Sequence, residues 1–163
     1  MEDRNCFEKR SGIPFGMVLT KKVSLIMQPT FLAASPFLPL IGISVILLIV
    51  HIMLQGMTAT KELGTNWNAG PRDDDRKPTG QLAGRAARAS TNFRETYPGF
   101  IALAFGLILA GDPHGFGLIG AWVWLVCRII YIPLYLAGVP YIRSLVWVGS
   151  MAGLVAMLLV LLF

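Results

Sequence analysis

Residues 84–110 read GRAARASTNFRETYPGFIALAFGLILA, and the way this stretch divides decides the fold. Its purely apolar part, Phe100 to Ala110, falls short of the about 20 helical residues needed to cross a bilayer. The helix must therefore begin earlier, and carrying it back to Gly84 gives about 27 residues, or ~40 Å. That places Arg85, Arg88, Asn92, Arg94 and Glu95 in its first half. Pro98 lacks a backbone donor and crowds the carbonyl of Arg94, so a bend is expected there. At about 100° per residue, Arg85, Arg88, Asn92 and Glu95 fall within an arc of roughly 80° and form one polar stripe. Arg94 points to the far side, where it reads as an interfacial, snorkelling residue.

Outward from this stretch the chain has the composition of a membrane protein. Of its 163 residues 55% are hydrophobic and 14% charged, against roughly 45–50% and about 25% in soluble domains, and its mean hydropathy is +0.63. So few charges cannot cover a soluble domain of this length. Further spans are expected at about 37–57, 117–137 and 143–163, which together with 84–110 make an all-α, up-down-up-down four-helix membrane bundle over residues 31–163. Residues 1–30 read as a polar leader, disordered or lying among lipid head groups, in which Met17 and Met27 offer alternative starts. The leader has no apolar run long enough for a signal-peptide core. The segment from Thr58 to Gly80 holds Gly64, Gly70, Pro71 and Pro78, a helix-breaking, solvated composition. Its Asp73, Asp74 and Asp75 read as a charge run in that loop rather than a cation site, and no metal or nucleotide motif is present.

Cys6 and Cys127 lie in the leader and inside an apolar run, so they make no disulfide framework. His51 reads as a neutral interfacial side chain near the end of the first span. The net charge of +5 comes from basic residues that flank the spans, which points to anionic lipid head groups and span orientation rather than to nucleic acid. The first loop and the start of the second span hold seven Lys/Arg, and Arg143 lies on the side of the third loop. By the positive-inside rule the first and third loops are expected in the cytoplasm and both termini outside, although the five basic residues of the leader count the other way.

Ionisable groups at membrane depth are costly and persist mostly where they act. On the third span Arg128, Tyr131 and Tyr135 share a face. Glu95 and Arg128 both lie about 15 Å from the cytoplasmic ends of their spans at ~1.5 Å per residue, so they are expected to pair or to share one polar pocket. Arg143 opens the fourth span at the mouth of that pocket, with Ser144 beside it. A buried ion-pair lattice holding the bundle in register is the structural alternative. Arg85, Arg88, Arg128 and Arg143 outnumber the single Glu95, however, and an anionic ligand would balance the surplus.

The motifs carry a family resemblance. Arg88, Asn92, Glu95 and Pro98 reproduce an R-x-x-x-N-x-x-E-x-x-P pattern, and RIIYIPLYLAGVPYIRSLVW, residues 128–147, looks like the end of helix 3 and start of helix 4 in bacterial members of the MAPEG family, the membrane-associated proteins in eicosanoid and glutathione metabolism. The resemblance covers about residues 31–163. It implies a homotrimeric four-helix bundle, in a bacterial inner membrane, with glutathione bound as co-substrate between subunits. It also implies that Arg143, with Arg128 as second choice, stabilises the glutathione thiolate, as cationic neighbours do for cysteine. Arg85, Arg88, Asn92, Glu95, Tyr131, Tyr135 and Ser144 are the candidate binding residues, although Tyr131 also suits an aromatic belt. Ala89, Ser90 and Thr91 stand where several members carry a histidine or further basic residue, and Arg94 where an apolar residue is usual, so the sequence does not support eicosanoid substrates.

The expected function is therefore a glutathione-dependent transferase or peroxidase acting on lipophilic electrophiles or hydroperoxides that reach the site from the bilayer. Two alternatives stay open from the residues: a catalytically silent protein that binds glutathione or lipid, and a small proton-coupled exporter using Glu95.

Overall fold

The computed structural model describes Thr20 and residues 35–71, 73, 76–112 and 114–163. Most of the expected leader, with Cys6, and also Asp74 and Asp75 lie outside the described residues. In chain order the helices are α1 Phe37–Leu63, the short α2 Thr65–Ala69, α3 Gln81–Ala110, α4 Phe116–Ala137 and α5 Ile142–Leu162. All but α2 are long and apolar enough to cross a membrane. Helix is the form a spanning segment takes because lipid offers backbone N–H and C=O groups no partner outside the segment. The result is an all-α four-helix membrane bundle.

The segment after Met57 differs from expectation. α1 continues to Leu63, and α2 follows directly, so much of the expected first loop is helical. The Thr58 and Thr60 hydroxyls donate back to the carbonyls of Leu54 and Gly56, each at 2.8 Å, so their polar groups are satisfied within the helix. α1 ends only at Gly64, whose φ of +90° ordinary residues avoid. Just before this stop, Glu62 accepts the backbone N–H of Thr79 at 2.6 Å and of Gly80 at 2.9 Å. The first turn of α3 has no acidic residue of its own, so α1 supplies the carboxylate that the positive end of the helix favours.

The buried residues of α1, Phe37, Leu40, Ser44, Leu47 and His51, recur every three or four positions and make one stripe toward α3. His51 is not interfacial: it is 1% exposed and stacks on Phe93 of α3 at 4.6 Å between ring centroids. α3 continues through Pro98. Phe93 and Phe100 then meet Trp124 of α4, which stacks on Phe100 at 3.9 Å. Cys127 is half-buried, with its sulfur beside Gly149. The outward faces remain apolar, as lipid-facing surfaces do: Ile46, Met57 and Leu145 are among the most exposed.

α4 and α5 cross where two glycines face each other. A Cβ on Gly153 would lie 2.6 Å from the Gly120 carbonyl oxygen and 2.9 Å from the Trp124 nitrogen. Both obstacles are backbone, so the helices can approach this closely only without side chains, a common arrangement in membrane bundles. Gly153→Val should cost about 1–3 kcal/mol by overpacking and lower the thermal midpoint in detergent. Gly42→Ala, where an added Cβ meets nothing within 4 Å, should leave it unchanged; equal midpoints for the two variants would contradict the close crossing.

Candidate functional site

Three helices deliver the polar residues to one end of the bundle: α3 brings Arg88, Asn92 and Glu95, α4 brings Tyr131 and Tyr135, and α5 brings Arg143 and Ser144. The turn between α4 and α5 sets their relation. Gly138 closes α4 in the left-handed region at φ +76°, and Tyr141 enters α5 at φ +50°. This sharp reversal puts the Arg143 guanidinium 4.5 Å from the centroid of the Tyr135 ring, within cation–π range. Tyr131, one turn earlier, lies 5.2 Å from Tyr135.

The two tyrosines form a wall shared by two pockets. Asn92, Tyr131, Tyr135, Arg143, Ser144 and Trp147 line one of about 180 Å³. Arg88, Thr91, Asn92 and Glu95 meet the same tyrosines around another of about 310 Å³, with Ala87. Asn92 and both tyrosines thus belong to both spaces. Arg88 bends back along its own helix, close to Gly84. Among the described residues, Arg88, Glu95, Arg128 and Arg143 have no ion-pair partner.

Arg128 lies behind this wall. It is 1% exposed, donates from Nη1 to Asn92 Oδ1 at 2.7 Å and from Nη2 to Thr96 Oγ1 at 2.8 Å, and has Trp124 and Tyr131 rings at 5.9 and 5.7 Å. Among the described residues its Nε has no hydrogen-bond partner. A guanidinium held only by neutral oxygens and ring faces is an uncompensated charge in an apolar interior, a costly arrangement.

The expected pairing of Glu95 with Arg128 does not occur. Depth reckoning brought the two helices to the same level, but direction around α3 separates them: Thr96 lies about 100° around the helix from Glu95. α4 faces the ridge of Asn92 and Thr96, which take the guanidinium, and Glu95 stays exposed on the rim beside Arg88. Arg85 also parts from the stripe. Its Nη1 donates to the Leu136 carbonyl at 3.0 Å, capping the last turn of α4, where a cation suits the negative end of the helix. Arg94 stays exposed, folded back toward the Ser90 carbonyl at 3.4 Å.

The Arg85 guanidinium occupies the space over Gly138: a Cβ there would lie 2.5 Å from it. Gly138→Ala should therefore both strain the left-handed backbone, by about 1–2 kcal/mol, and dislodge the arginine. The expected result is a lower thermal midpoint, with a further Arg85→Ala change costing little in that background; fully additive losses would contradict the shared contact.

Thr96, Thr91 and Trp147 were not legible as site residues. Thr96 and Trp147 each sit four positions after a residue that was, Asn92 and Arg143. Extending the helical face by one turn, hydroxyl and indole groups included, would have found them. Among the described residues no cluster of His, Cys, Asp and Glu could hold a metal ion.

No curated protein and no solved structure matches the chain. The family model described as "MAPEG family" matches residues 40–163. That match spans well over half of the chain and takes in every residue of both pockets, so the protein belongs to the MAPEG family, membrane proteins generally associated with glutathione.

Proposed function

We propose that the protein is a glutathione-dependent membrane transferase or peroxidase for lipophilic electrophiles or hydroperoxides, in which Arg143 stabilises the glutathione thiolate. One observation carries this reading: Arg143, Ser144, Asn92 and the two tyrosines converge on a pocket whose lining, among the described residues, holds a guanidinium and no carboxylate. A thiolate forming there gains a charge partner and a hydroxyl donor, which favours ionisation of the thiol.

The neighbouring pocket suits the rest of the molecule. Glutathione carries two carboxylates and one ammonium, and this space offers Arg88 and Glu95, one group of each sign, beside the Asn92 amide. Arg88 would clamp a carboxylate and Glu95 would receive the ammonium. The shared tyrosine wall lets one extended ligand touch both spaces. In this reading Arg128 touches no ligand atom and acts as a positioning residue, holding Asn92 from behind. A homotrimer is the assembly we propose, in keeping with the family, with glutathione between neighbouring subunits and the first and third loops cytoplasmic.

In the transferase reaction the thiolate sulfur attacks the electrophilic carbon and forms the thioether as the leaving group departs. In the peroxidase reaction it attacks the terminal hydroperoxide oxygen and breaks the O–O bond, giving the glutathione sulfenic acid and an alkoxide that takes up a proton to become the alcohol; the thiol of a second glutathione then attacks the sulfenic sulfur, forming the disulfide and releasing water. The protein contributes position and charge rather than a covalent intermediate.

The test is rapid mixing of the purified protein with glutathione while thiolate absorbance is followed, then turnover over a panel of electrophiles and hydroperoxides. A thiolate signal with turnover is expected. Binding without turnover would identify a silent glutathione-binding protein, and neither signal would overturn the reading.

A further inference from the structure

We propose that Arg94 of one copy of the chain pairs with Glu95 of the next, so that each larger pocket is closed by a cation from its neighbour. The two residues follow one another on α3, and within one chain neither has an ion-pair partner among the described residues. Both are exposed. They lie about 20 Å along α3 from its start at Gln81, in a helix long and apolar enough to cross a membrane. Charges left facing lipid at such depth are costly, and charged groups there almost always turn inward and pair.

Their directions decide how they can meet. Successive helical residues point about 100° apart, so Arg94 and Glu95 of one chain do not face each other. Arg94 instead folds back along its own helix with only long contacts, 3.4 Å to the Ser90 carbonyl and 3.5 Å to the Thr91 hydroxyl. The arc between the two holds Pro98 and Ala102, both exposed. Neither packed neighbour covers it: α1 takes the face of Phe93, and α4 takes that of Asn92 and Thr96. α3 therefore presents an open strip with a cation along one edge. Along the other edge stands the carboxylate that lines the pocket of Arg88, Thr91 and Asn92.

A strip with unlike edges is matched by a second copy of itself. Copies that share one orientation in a membrane are related by an axis along the membrane normal, so each residue keeps its depth from copy to copy. Arg94 of one copy then stands level with Glu95 of the next, to within ~1.5 Å. With the strips turned toward the axis, each Arg94 edge meets a Glu95 edge, and the ring closes with all of these charges paired. Gly99 leaves room for the approach, since a Cβ built there meets nothing within 4 Å. The guanidinium also gives the larger pocket a second cation beside Arg88 and fixes the direction of Glu95. The pair rests on the homotrimer proposed above and not on the identity of the thiol.

The experiment exchanges the charges in the full chain, with assembly in mild detergent read by size-exclusion chromatography and light scattering. Arg94→Glu and Glu95→Arg each set like charges against one another. Each should raise the protein concentration needed for assembly about ten-fold or more, the worth of a close charge pair across an interface, with helix content unchanged by circular dichroism. The double variant Arg94→Glu, Glu95→Arg should assemble as wild type does. In a background carrying Cys6→Ser and Cys127→Ser, membranes that hold Arg94→Cys and Glu95→Cys chains together should form an interchain disulfide on oxidation, in larger yield than either chain alone. An oligomeric wild type that tolerates both reversals, or a double variant no better than the single ones, would overturn the pair and leave the enzyme reading in place. A monomeric wild type would overturn the pair and the homotrimer together. None of these readouts needs glutathione, so a protein that assembles as expected but binds no glutathione would keep the pair and lose the enzyme reading.

Discussion

Arg143→Ala should abolish the thiolate absorbance that wild-type protein develops with glutathione and reduce turnover about 10²–10³-fold, the usual loss when one charge-stabilising donor is removed. The loss should fall mainly on the chemical step. In the proposed mechanism Arg143 would meet the developing charge of the sulfur, whereas Arg88, Asn92 and Glu95 would hold the parts of glutathione whose charges do not change. Glutathione affinity should therefore weaken far less than turnover. Arg143→Lys provides the finer comparison: it keeps the positive charge but not the planar group lying over the Tyr135 ring at 4.5 Å, and the two cations are not interchangeable at stacked sites. Partial recovery is expected. A wild-type thiolate signal in Arg143→Ala would remove Arg143 from the mechanism.

The second large effect concerns the charge buried behind the pocket. Asn92→Leu takes away the acceptor of Arg128 Nη1 and leaves the guanidinium held by Thr96 alone, at a cost of about 1.5–3 kcal/mol for a hydrogen bond to a charged group. The triple change Asn92→Leu, Thr96→Val and Arg128→Met removes the whole polar set together. Replacing every partner by apolar groups of similar size is often close to neutral, so the triple variant should unfold later than Asn92→Leu when titrated with a denaturing detergent. Glutathione binding should fall in both, because Asn92 borders both pockets. Stability and binding therefore separate. A triple variant no more stable than the single one would show that the guanidinium is not the source of the cost.

Residues 84–110 already carry much of this arrangement in their spacing. The shortness of the apolar run forced the helix back through its charged half, and the structure has that helix beginning at Gln81. The polar stripe was legible because helical periodicity alone fixes which residues share a face. Arg88, Asn92, Glu95, Tyr131, Tyr135, Arg143 and Ser144 do come together at the two pockets. The extent of α1 was less legible: Thr58 and Thr60 have low helix propensity, and only their bonds back to the preceding turn reconcile them with the helix.

The amino-acid sequence by itself determined the membrane class, the four spans and the family, because these depend on length, hydropathy and spacing along one chain. Only the tertiary structure decided which charges meet. Depth in the membrane follows from counting residues, but the direction from which one helix views another follows from how their side chains pack. The Gly120 and Gly153 contact, the left-handed closure at Gly138 and the Phe100 and Trp124 stack turn α4 so that Arg128 meets Asn92 and Thr96. That rotation leaves Glu95 on the rim, gives Arg85 to the end of α4, and leaves Arg143 as the guanidinium in the smaller pocket.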